Sequence, residues 1–103
     1  MTKAAKQLEP IPPGEVLLEE FMGPHGVSQN RLACDIDVNP AGINDIVHGR
    51  SAITTAIALR LAKYFGTSPE LWLNLQSDYD LRRARASDWP KVEPRVRVLT
   101  VES

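Results

Sequence analysis

The 103-residue chain has one cysteine, Cys34, so no disulfide can form within it. It has no long apolar run of the kind that spans a membrane. Lys3, Lys6 and Glu9 interrupt anything that could serve as a secretory signal. The simplest address is therefore cytoplasmic. The chain also lacks an excess of either charge: twelve basic and thirteen acidic side chains leave a net −1, so composition alone does not announce a nucleic-acid binder. His25 and His48 stand far from each other, and neither has a cysteine or carboxylate at metal-ligand spacing. They read as surface residues. There is no phosphate-cradling glycine loop, and nothing pairs Cys34 with a histidine as a nucleophile would require. An enzyme is the least favoured class, and no cofactor or metal is expected. Internal repeats and low-complexity tracts are missing too.

What is present suits one small helical domain. Apolar residues at 43% and charged residues at 24% match an ordinary globular protein. So short a chain buries only a modest core, and pairing with a second copy would help it. Charge is uneven. Residues 28–66 carry four basic and three acidic groups, and Arg82, Arg83 and Arg85 cluster further on, reading as a solvated helix face.

Helix boundaries are legible. Prolines 10, 12 and 13 keep residues 1–12 a loose arm. A first helix starts near Pro13 and Gly14, with Leu17, Leu18, Phe21 and Met22 on one face and Glu15, Glu19 and Glu20 toward water; Gly23, Pro24 and Gly26 end it. Ser28 caps a second helix whose buried face is Leu32, Ala33 and Ile36, with Val27 stapled to Leu32 and Cys34 as a small buried filler. After the turn 35–38, Asn39 caps a third helix led by Pro40, stapled by Val38 on Ile43, facing inward with Ile43, Ile46 and Val47, and stopped by Gly49. Thr54 caps a fourth, with Ile57, Ala58, Leu61, Ala62 and Phe65 inward. Ser68 and Pro69 open a fifth that carries Leu71, Trp72, Leu75 and Tyr79 as core or dimer surface and runs to about Arg85. The fold class is thus all-α with five helices: an arm over 1–12, a helix-turn-helix domain over 13–86, and an extension over 87–103. In that extension, 95–101 alternates like a short strand, either loose or paired with a strand from another copy.

Two short helices joined by a tight turn, the second led by small polar residues, form a helix-turn-helix. Such a reading helix enters the major groove by its leading end. Asn39, Ala41, Asn44 and Asp45 occupy that end, and Asn44 can read an adenine edge through a bidentate pair. Gln29 and Asn30 lie at the start of the preceding helix, where free backbone N–H groups favour a phosphate. Arg50, just past the reading helix, can also reach phosphate.

The stretch from Pro13-Gly14-Glu15 through Ser28-Gln29, Leu32-Ala33, residues 43–47, Gly49-Arg50, Ala52-Ile53-Thr54 and residues 58–62 to the run Phe65–Gln76 resembles the HigA antitoxins, within the wider Cro/lambda-repressor-type group. The likeness covers roughly residues 12–86, and the 65–76 run is its specific part. It implies a five-helix, lambda-repressor-like homodimer that represses its own operon on double-stranded operator DNA and silences a HigB-type mRNA-cleaving toxin. It puts the family's phosphate-contacting glutamine on Gln29 and its groove-reading positions on Asn39, Pro40, Ala41, Asn44 and Asp45. Three departures stand out. Asp37 holds a turn position usually given to glycine or asparagine, Ala41-Gly42 replaces polar or basic groups in the reading helix, and Asp45 brings a negative charge near the duplex. Aspartate tolerates the left-handed turn, and the other two departures predict modest operator affinity. A stand-alone regulator without a toxin partner is the alternative reading, and a pure protein-interaction module on the same scaffold is the third.

Overall fold

The computed structural model describes residues 10–100, so the first nine residues of the expected arm lie outside the description. Helix α1 covers residues 13–25, α2 is Gln29–Asp35, α3 Pro40–Val47, α4 Thr55–Phe65, α5 Pro69–Ala86 and α6 Trp89–Val92; a 3₁₀ turn, Glu93–Arg95, follows. Four expected caps close their helices. Ser28 Oγ accepts from the Arg31 N–H at 3.1 Å, Asn39 Oδ1 from Ala41 at 2.8 Å, Thr54 Oγ1 from Ile57 at 3.3 Å and Ser68 Oγ from Leu71 at 3.1 Å. Each satisfies a backbone donor that the first turn cannot.

Helix α1 is not uniform. Its middle, Leu17–Met22, is wound wider, and the Gly23 N–H reaches back to the Leu18 carbonyl. Pro24 follows at once and has no N–H to give. The wide turn accommodates it without ending the helix, which continues to His25 and closes at Gly26.

Leu17, Met22, Leu32, Ile43, Leu61 and Trp72 are the largest fully buried side chains. Phe21 packs on Trp72 and Phe65 with ring centroids 4.8 and 5.4 Å apart. The buried Trp72 indole donates to Thr67 Oγ1 at 2.8 Å, so the ring enters the core with its polar atom satisfied. At the other end of the core, α1 and α3 touch at Gly14. A Cβ built there would lie 1.8 Å from the Ile46 carbonyl oxygen.

Several expectations need correction. Cys34 is exposed. Leu32, Ala33 and Ile36 fill the inward face of α2, and Cys34, one helical step beyond Ala33, falls outside it. Leu18 and Leu71 remain at the surface, because Leu17 and Trp72 take the core positions beside them. A sixth helix, α6, follows the break at Ser87, and among the described residues there is no strand. Pro94 sits inside the 3₁₀ turn, and residues 96–100 have no neighbouring strand to supply ladder bonds; Val101 lies outside the described residues.

From Leu81 onward every described residue is exposed. The Cα radius of gyration is 17.2 Å and the extents are 56 × 37 × 23 Å, against about 13 Å for a compact chain of this size. The last turn of α5 and everything after it extend from the body, whereas Tyr79, half-buried, still lines a pocket with Pro12, Gly14 and Gly49.

Candidate nucleic-acid interface

Helices α2 and α3 are joined by a turn that closes α2 with paired backbone bonds: Val38 N–H to the Ala33 carbonyl at 2.9 Å and Asp37 N–H to Cys34 at 3.3 Å. That closure needs a left-handed residue, and Asp37 supplies it at φ 61°. Arg60, from α4, reaches across and donates to the carbonyls of Ile36 at 2.6 Å and Asp37 at 3.0 Å. The turn is thereby tied to the core. Arg60 is 23 residues from Asp37, and nothing local in the sequence signals the contact.

Helix α3 rests on the body through Ile43 and Ile46, both buried. Its far end closes at Gly49, φ 76°, with the Gly49 N–H on the Ile46 carbonyl at 3.0 Å and the Arg50 N–H on the Asp45 carbonyl at 2.7 Å. The chain therefore folds back, and Arg50 comes to lie beside α3. The loop beyond is fastened to α5 by Gln76, whose Oε1 accepts from the Ile53 N–H at 2.8 Å.

Four of the sequence-predicted residues meet here. Asn44 Nδ2 donates to Gln29 Oε1 at 3.0 Å, Arg50 Nη2 donates to Asn44 Oδ1 at 2.9 Å, and Arg50 Nε donates to Asp45 Oδ1 at 3.2 Å. Gln29, Asn44 and Asp45 are half-buried, whereas Arg50 is exposed. Asn30, Asn39, Pro40 and Ala41 are exposed on the leading turns of the two helices and stand outside this network, Asn39 being engaged in its own cap. His48, read as an ordinary surface residue, also touches the helix. Its Nδ1 lies 2.8 Å from the Asn44 carbonyl.

Behind α2, the Tyr64 hydroxyl donates to Asp35 Oδ2 at 2.6 Å, and Arg31 pairs with the same oxygen at 3.5 Å. The bond to the carboxylate raises the phenol above its ordinary range. Among the described residues, no three His, Cys, Asp or Glu side chains converge as a metal site would require. No helix among them is long and apolar enough to cross a membrane.

Comparison with known proteins places this geometry. A helix-turn-helix family model matches residues 18–72. The chain is 45% identical over 78 residues to virulence-associated protein I of Dichelobacter nodosus, which takes in 76% of this chain and 72% of the relative. It is 35% identical over 72 residues to antitoxin HigA-1 of Vibrio cholerae, 70% of this chain and 68% of that one. The structure of antitoxin HigA from Pseudomonas aeruginosa, solved with the higBA promoter, superposes with a TM-score of 0.85 at 38% identity and covers 89% of this chain and 100% of its own.

Proposed function

The chain belongs to the HigA family of helix-turn-helix proteins, and on that premise we propose that it is the antitoxin of a type II toxin-antitoxin pair that represses its own operon. One observation carries the DNA half of the reading. Gln29, at the start of α2, and Asn44, on the outer side of α3, share one surface, while Ile43 and Ile46 clamp α3 to the core. A helix held in that way offers its leading turn to a major groove while the N-terminus of α2 meets the backbone. In this reading Gln29 and Asn30 face phosphate. Asn39, Pro40, Ala41, Asn44 and Asp45 face base edges, and Arg50 completes the surface.

Two copies acting together fit the small core and the projecting end of α5, so the working form is a homodimer on a two-fold operator. The partner to be silenced is a HigB-type mRNA-cleaving toxin encoded beside this chain.

The test has two arms. The chain should shift DNA from upstream of its own gene in a mobility assay, with affinity falling steeply as salt rises. Gln29→Ala should weaken binding to every sequence alike, whereas Asn44→Ala should relax base preference at one position, by about 1–3 kcal/mol of discrimination. A pull-down with the neighbouring gene product should recover a complex. A clean DNA shift with no capture would instead make the chain a stand-alone regulator. Parent-like operator binding by both variants at matched salt would refute the assigned surface.

A further inference from the structure

The bonds at the interface have a direction. A guanidinium can only donate, so Arg50 fixes which end of the Asn44 amide faces it: the oxygen, at 2.9 Å. The Asn44 nitrogen is then committed to the other side, where it meets Gln29 at 3.0 Å. Gln29 must answer with its oxygen, which leaves its NH2 group as the end that remains to donate. If Asn44 turned over, its NH2 would face the Arg50 donor and its oxygen would face the Gln29 oxygen. Both bonds would be lost together.

Arg50 is itself held. The closure at Gly49 ties its N–H to the Asp45 carbonyl at 2.7 Å, and its Nε pairs with the Asp45 carboxylate at 3.2 Å. That carboxylate also offsets the guanidinium charge, so Arg50 is poorly suited to neutralise a phosphate of its own.

We propose that Arg50 is a positioning residue, which sets the polarity of a relay running Arg50 to Asn44 to Gln29 so that Gln29 presents a hydrogen-bond donor, not an acceptor, to the DNA phosphate. The proposal rests on the DNA-binding reading above and assigns Arg50 a role there. An oxygen turned toward phosphate would repel it, so the direction of the relay matters as much as the presence of the glutamine. Asp45, a liability beside DNA when taken alone, becomes the group that anchors the relay's source.

The test begins on the free protein. In ¹⁵N spectra of the parent, the side-chain NH2 groups of Asn44 and Gln29 should be dispersed and slow to exchange. Arg50→Met, which keeps the aliphatic stem at an exposed position, should collapse both toward the values of free amides while backbone resonances of the core stay in place. On operator DNA, Arg50→Met should weaken binding about fivefold, the factor expected for one hydrogen bond. It should leave the slope of log affinity against log salt unchanged, and it should have no further effect in an Asn44→Ala background, where the relay is already broken and the same sequence-independent loss accompanies the relaxed base preference. A slope reduced by about 0.9 would make Arg50 a phosphate contact and overturn the relay. So would additive losses in the double variant, or amide resonances indifferent to Arg50→Met. A parent that binds no operator would fail the DNA reading instead, and the amide spectra would still decide the relay.

Discussion

Two glycines on facing elements behave oppositely, and only their neighbours say so. At Gly14 an added Cβ would fall 1.8 Å from the backbone oxygen of Ile46, which no rotamer change can relieve. Gly14→Ala must push α1 off α3, and a loss of at least about 2 kcal/mol in urea unfolding is expected, the range of core overpacking. At Gly42, on α3, nothing lies within 4 Å of such an atom. Gly42→Ala should therefore stabilise the fold by about 1 kcal/mol through helix propensity alone. An unchanged midpoint for Gly14→Ala would mean that the two helices do not meet as described. The sequence carries both glycines in helical context, and the helix cost of Gly42 is readable there. That of Gly14 is not, because the atom it avoids belongs to a residue 32 positions away.

Helix starts were legible because the chemistry that makes them is local: a side-chain oxygen two or three residues ahead of the N–H it serves. All four expected caps bond as expected, and Asp37 adopts the left-handed turn that its small polar side chain permits. What could not be read was how the turn is held. Arg60 supplies donors from another helix to the carbonyls of Ile36 and Asp37, in the turn just past α2, and periodicity says only that it lies off the buried face. Arg60→Ala should lower stability by about 1–2 kcal/mol, as expected when a charge-assisted donor leaves two carbonyls, with the loss centred on the turn. Hydrogen exchange should then quicken at the Val38 amide and leave α4 unaffected. Equal quickening throughout would show a general loss of packing and would reject a local clamp. The alternation at 95–98 left two outcomes open, and in the single chain the segment is loose. A strand needs a partner, and the pattern within one chain cannot say whether one exists.

At the scale of the whole molecule, net charge and length gave little, and the elongated shape was not foreseeable, because helix length does not fix where a helix goes after its last core contact. Along α5, Leu73, Leu81 and Ala84 line one shallow groove together with Gln76, Ser77 and Asp80; Leu73 packs against the core, and Leu81, Trp89 and Val92 are exposed toward the end of the chain. Large apolar side chains held in water, here Leu81, Trp89 and Val92, are a surface that a second copy can cover, since it offers the same ridge of side chains related by a two-fold axis. If that is how the proposed homodimer forms, Leu81, at 48% exposure in the single chain, is well placed to report it. Leu81→Glu puts a charge on the ridge without touching the core. It should shift the sedimentation coefficient from dimer to monomer while leaving the helical circular dichroism of the body intact. Operator affinity should then fall more than tenfold, since one copy engages one half-site and the benefit of linking two is lost. A parent that sediments as a monomer, or a Leu81→Glu variant that remains dimeric and binds its operator undiminished, would move the contact elsewhere and leave the ridge without a role in assembly.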